Sequence, residues 1–135
     1  MEKNFLTKPV DDDISVRKSL HRLIRSAGLE VLVFSSAEEF LKTAHPRKAD
    51  CLILDVQLPG MSGIELLHHM NIHKYKVPVI FITAHESDEH ARSEAASDWT
   101  VAYLIKPFSG EELLDAVNAA LKWKPSDRLE RKHLN

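Results

Sequence analysis

"CLILDVQLPGMSG", residues 51 to 63, contains the change of pattern that decides the fold. Four consecutive apolar residues are followed by a carboxylate, a loop punctuated by Pro59 and Gly60, and then Ser62 with Glu65 three residues on. An apolar run without alternation belongs to a strand covered on both faces, and such strands build parallel sheets flanked by helices. Ser62 and Glu65 have the spacing of a capping box, in which the serine oxygen accepts a first-turn amide and the glutamate reaches back, so a helix starts just beyond the loop. Asp55 therefore stands at the tip of a buried strand.

The same unit recurs in both directions. "VIFI" (79 to 82) precedes Thr83, "VAYLI" (101 to 105) precedes Lys106, and "VLVF" (31 to 34) precedes a capping box at Ser36 and Glu39; a third box lies at Ser109 and Glu112. Val16, Leu20, Leu23 and Ile24 repeat at helical spacing, with Gly28 as the stop signal. Residues 87–98 are polar and poorly periodic, which predicts the loosest helix. The expected class is α/β, a doubly wound parallel sheet whose ligands sit beyond the carboxyl ends of the strands. Residues 1–123 read as one domain and "KPSDRLERKHLN" (124 to 135) as a polar, solvated tail.

The first strand is the difficult one. It must come from "NFLTKPV" (4 to 10), directly before Asp11, Asp12 and Asp13. Proline removes a ladder hydrogen bond and is rare in central strands, and Lys8 places a charge in a covered one. The strand is therefore expected to be short, ending near Thr7, or distorted so that the acidic residues are displaced.

Composition narrows the function. The chain has 135 residues, with 18 basic and 20 acidic ones for a formal charge of -2, and the two signs are mixed along it. That balance offers no basic stripe and argues against direct nucleic-acid binding. The single Cys51 excludes an internal disulfide and suits a reducing compartment. Apolar runs are too short to span a bilayer and the N-terminus lacks a signal-peptide core, so no membrane association and a cytoplasmic location are expected. Among eight histidines, His69 and His73 fall one helical turn apart without a third ligand at suitable spacing, which describes a solvated helix face.

Chemistry collects at the strand ends. Asp55, Thr83, Lys106 and the acidic triplet each follow a strand, so one rim receives a carboxylate, a hydroxyl, an ammonium and an acidic cluster. Two carboxylates about 4 Å apart repel by roughly 4 kcal/mol at an effective dielectric near 20. A divalent cation together with Lys106 would turn that repulsion into a magnesium-assisted phosphoryl site. Lys106 stands before Pro107, a place that suggests a cis peptide.

The pieces "VDDD" (10 to 13), "LDVQLPGMSG" (54 to 63), "FITAH" (81 to 85) and "YLIKPF" (103 to 108), in this order, resemble the receiver domain of two-component response regulators over about residues 10 to 121. The wording looks closest to the nitrogen-fixation regulator subgroup. The resemblance implies a flavodoxin-like five-stranded parallel sheet in the order 2-1-3-4-5. It implies Asp55 as the phosphoacceptor, with Mg²⁺ held by Asp12, Asp55 and the main-chain carbonyl of Gln57, and by Asp11 through a water. Thr83 would donate to a phosphoryl oxygen, Lys106 would reach into the pocket, and Tyr103 would be the aromatic that responds once Thr83 moves. Asp13 is left over near the start of the first helix, and His85, two residues after Thr83, is expected to border the pocket. The implied partners are a sensor histidine kinase as phosphodonor, an unknown downstream protein and a possible second copy of the chain.

Where such receivers commonly have glycine and alanine, this chain has Trp99 and Thr100, so Trp99 is either a partner contact or core filling. The expected function is a stand-alone phosphorylation switch rather than an enzyme that turns over external substrates. The alternative is a degenerate receiver that binds partners irrespective of phosphate. A phosphatase resembling haloacid dehalogenases needs a second aspartate two residues after the nucleophile, where Gln57 stands. A flavin module would need a phosphate-cradling loop that this sequence lacks.

Overall fold

Strands and helices alternate through the computed structural model, which describes residues 6–11, 13–31, 34–43, 49–58, 60–84 and 89–124, with the main chain alone at 6–9, 31, 43 and 89–91. The elements are β1 (Leu6–Val10), α1 (Ile14–Ser26), β2 (Glu30–Val31), α2 (Ala37–Thr43), β3 (Cys51–Asp55), α3 (Gly63–Ile72), β4 (Val79–Thr83), α4 (Glu89–Ala95), β5 (Thr100–Ile105) and α5 (Gly110–Leu121). All strand pairs are parallel, in the order β2-β1-β3-β4-β5, as the resemblance implied.

Every residue of β3 and β4 is buried, and the pleat sorts them onto two faces. Leu52, Leu54, Val79 and Phe81 join Phe40 of α2, Leu66, Leu67 and Met70 of α3, and Ala95 of α4. Cys51, Ile53, Ile80 and Ile82 join Leu20 and Ile24 of α1 and Leu113, Val117 and Ala120 of α5. Each large side chain so buried contributes about 1.5–3 kcal/mol. Helices α1 and α5 thus cover one face and α2, α3 and α4 the other. Trp99 is half-buried against the α1/α5 cluster, and the buried Trp123 donates its indole N–H to the Asp98 carbonyl at 2.7 Å, fastening the end of α5 near the start of β5.

The first strand corrects the expectation of a short or distorted element. β1 is five residues long, like β3 and β4, and keeps an unbroken register with β3: Thr7 beside Cys51, Lys8 beside Leu52, Pro9 beside Ile53 and Val10 beside Leu54. Proline withholds one amide, which is one ladder bond at most. Alignment is held instead by the flanking residues, since Val10, Ile53 and Leu54 are fully buried. β2 is Glu30–Val31, and a parallel bridge joins Val10 to Phe34, so both ends of the expected strand at 31 to 34 pair with β1, with residues 32 and 33 outside the described ones.

The helix starts follow the serines. The Ser62, Ser109 and Ser36 hydroxyls accept from the amides of Glu65, Glu112 and Glu39 at 3.0–3.1 Å. The Glu39 carboxylate reaches back one residue further than a capping box requires, accepting from the amide and the hydroxyl of Ser35, and those bonds hold its carboxyl below the usual range. Asp13, left without a role by the sequence, caps α1 by accepting from the amides of Ser15 and Val16. Helix α4 has seven residues and, of 92–95, buries Ala95 alone, in keeping with a loose element. Among the described residues no helix is long and apolar enough to cross a membrane. The tail expected from 124 onward lies outside the described residues apart from Lys124.

Asp13→Ala removes the α1 cap and is expected to cost about 1 kcal/mol. A urea unfolding curve checks this, with the midpoint lowered and the slope unchanged.

Candidate functional site

Parallel pairing carries the ends of β1, β3, β4 and β5 to one edge. Beyond the named strands the ladder runs one step further: Asp11 N–H donates to the Phe34 carbonyl (3.1 Å), Val56 N–H to Ile82 (2.9 Å) and Lys106 N–H to Thr83 (2.7 Å). The side chains of Asp11, Asp55 and Lys106 meet there because those main-chain bonds fix where each strand stops. The Lys106–Pro107 peptide is cis.

Lys106 is the centre of the cluster. Its Nζ lies 3.1 Å from Asp11 Oδ2 and 3.2 Å from Asp55 Oδ2. The remaining carboxylate oxygens are held by the chain itself: Asp11 Oδ1 accepts from Asp13 N–H at 2.9 Å, and Asp55 Oδ1 from Gln57 N–H at 2.8 Å. Arg17 of α1 donates to the Asp11 main-chain carbonyl at 2.9 Å, bracing the turn from below. Asp11 is fully buried and Asp55 nearly so.

Burial pushes the Asp55 carboxyl up to about 6, the facing Asp11 carboxylate adds to the rise, and the Gln57 amide and Lys106 oppose it. Burial alone would lower the Lys106 ammonium, but Asp55 and Asp11 overcome it and the net shift is upward. Two carboxylates facing one ammonium leave the cluster short of positive charge. The donors are all hard oxygens, a set that suits Mg²⁺ and not a softer metal.

Thr83, buried at the end of β4, sits beside Ile105 in register, one residue before Lys106. Tyr103 lies two residues further back on β5. Its ring packs against Phe81, with centroids 6.3 Å apart, and the Arg92 guanidinium lies 4.9 Å over it; its hydroxyl is buried with no partner among the described residues. The Gln57 side chain is exposed, so that residue joins the site through its main chain. Asp12, the remaining acid of the expected metal set, lies outside the described residues, as do His85 and Pro59. Among the described residues no three metal-ligating side chains gather: His69 and His73, on α3 and its cap, lie as a pair with ring centroids 4.3 Å apart and planes tilted by 55°.

Gly63, legible in the sequence as one of the residues shaping the loop after Asp55, is required by close approach: a Cβ there would lie 2.3 Å from the Asp55 carbonyl oxygen. Other contributors escape a reading of the sequence. Arg17, Glu38 and Arg92 carry no signal, since each is an ordinary charge on a helix.

The pattern that defines the response regulator receiver domain family matches residues 9–118. Nodulation protein W of Bradyrhizobium diazoefficiens is 49% identical over 114 residues, which are 82% of this chain and 48% of that protein. The transcriptional regulatory protein FixJ of Azorhizobium caulinodans is 38% identical over 90% of this chain and 57% of its own length. The solved structure of the response regulator StyR superposes with a TM-score of 0.79 at 37% identity, covering 98% of this chain and 66% of that one. The chain spans about half the length of the curated relatives it matches.

Two expectations follow. Gly63→Ala forces the start of α3 away from β3 and costs about 1–3 kcal/mol in urea unfolding. The second concerns pH in the absence of divalent ions. A folded carboxyl raised above its unfolded value near 3.9 binds protons that the unfolded chain has released, so stability falls as pH rises from about 4 to about 6. Asp55→Asn flattens that fall, by on the order of 1–2 kcal/mol; parallel wild-type and variant profiles would contradict it.

Proposed function

The chain belongs to the response regulator receiver family, whose general function is phosphorylation-dependent signalling, and from that premise we propose that Asp55 is the residue that takes the phosphoryl group. The observation that carries the reading is the shared ammonium: Lys106 touches both Asp11 and Asp55, leaving one negative charge more than positive at a buried strand edge. An Asp55 carboxylate oxygen attacks phosphorus, the new O–P bond forms, and the bond to the leaving group breaks with its electron pair going to that group. A sensor histidine kinase, whose phosphoimidazole is such a donor, is the proposed source.

Positioning and charge neutralisation do most of the work in phosphoryl transfer. Asp11, Asp12, Asp55 and the main-chain carbonyl of Gln57 are the proposed holders of Mg²⁺, Asp11 through a water. When bound, that ion would neutralise charge on the transferred group. Lys106 supplies a positive charge at the same edge, and Thr83 a hydroxyl for a phosphoryl oxygen. Tyr103, whose hydroxyl has no partner among the described residues, is the proposed reporter of phosphorylation to the surface of α4, β5 and α5. The chain acts here as a phosphoacceptor and not as a catalyst of external substrates.

The intact β1 register removes the distortion that favoured a degenerate receiver. Incubation with acetyl phosphate and Mg²⁺, followed by intact-mass spectrometry, tests the proposal. One phosphoryl group is expected on the wild type and none on Asp55→Asn or with chelator, while Lys106→Met slows labelling by about 100-fold. An unmodified wild type at saturating Mg²⁺ would overturn it.

A further inference from the structure

Glu38, an exposed residue in the first turn of α2, bonds a segment that neither its helix nor its strand neighbours explain. Its Oε1 accepts from the Met61 amide at 2.6 Å, across 23 positions of sequence. Gly60, with φ +74°, presents its bare α-carbon to the same carboxylate: a Cβ there would lie 2.9 Å from Oε2 and 3.1 Å from Oε1. The bond and the close approach describe one contact, at a backbone angle that favours glycine. They put the Glu38 carboxylate directly on the Gly60–Met61 peptide.

That peptide belongs to the loop between Asp55 and α3. The loop is fixed at its near end by Gln57 N–H on Asp55 Oδ1 and at its far end by the Ser62 cap and by Gly63 N–H on the Val56 carbonyl. Between these ends Glu38 supplies a hold from another element. A charged acceptor on a main-chain donor is among the stronger kinds of hydrogen bond. We infer that Glu38 is a positioning residue for the phosphoacceptor site: it sets the height of the loop, and with it the main-chain carbonyl of Gln57, over the Asp11–Asp55 edge. The inference rests on the proposed function, in which this carbonyl and these carboxylates hold Mg²⁺. Glu38 does not touch the reacting atoms; it acts through the loop.

The test is Mg²⁺ titration of the full chain by calorimetry, for the wild type, Glu38→Ala and Glu38→Gln, with thermal unfolding measured on each without metal. Glu38→Ala is expected to weaken Mg²⁺ by about 3- to 10-fold, at the low end of what supporting residues contribute to a metal site. Glu38→Gln keeps an acceptor oxygen and recovers part of the loss. Labelling by acetyl phosphate should then slow at low Mg²⁺ and approach the wild-type rate at saturating Mg²⁺. A Glu38→Ala titration superimposable on wild type, with or without a lower melting temperature, overturns the positioning role alone. A wild type that binds no Mg²⁺ overturns both this inference and the function it rests on.

Discussion

One ammonium group holds the strand edge together. Asp11 and Asp55 end neighbouring strands, and packing of Val10 with the β3 and β4 side chains forces them into one buried place whatever their charges prefer. Lys106, arriving from the far strand β5, contacts both at 3.1 and 3.2 Å. Removing one partner from such a buried set leaves an uncompensated charge, which is more harmful than the intact set is favourable. The hydrophobic sheet thus imposes the electrostatic problem, and the lysine solves it only in part. The part left unsolved is the excess negative charge that the proposed Mg²⁺ would offset.

The surrounding elements each fix one coordinate of that cluster. Gly63 lets α3 approach the Asp55 carbonyl more closely than any other residue would. Arg17 and the Asp13 cap tie the Asp11 turn to α1. Glu38 reaches from α2 to the loop that follows Asp55. On the other side, Phe81 and Arg92 hold the Tyr103 ring while its hydroxyl lacks a bond among the described residues.

Much of this architecture is legible in the order of the residues. Unbroken apolar runs mark β3, β4 and β5 because burial on both faces leaves no polar alternation to misread. Serines with glutamates three residues on mark helix starts because the capping bond is local. Asp55, Thr83 and Lys106 stand out because a chemistry-bearing residue at a strand tip is a one-dimensional signal. What stays hidden is anything set by the neighbouring strand. Pro9 reads locally as a break, yet the register with β3 is kept by Val10, Ile53 and Leu54, which are packed from both sides. The second strand pairs at Glu30–Val31 and again at Phe34, with residues 32 and 33 outside the described ones. Glu38, Arg17 and Arg92 are invisible for a similar reason: their partners are on other elements.

The most direct test is a crystal structure of the chain with Mg²⁺ and beryllofluoride, a mimic of the acyl phosphate. The account predicts fluoride density bonded through beryllium to an Asp55 carboxylate oxygen, a six-coordinate ion against Asp55 and the Gln57 carbonyl, and Lys106 Nζ on a fluorine. It would be contradicted by an unmodified Asp55 with Lys106 still bridging both carboxylates and no ion beside them at saturating Mg²⁺.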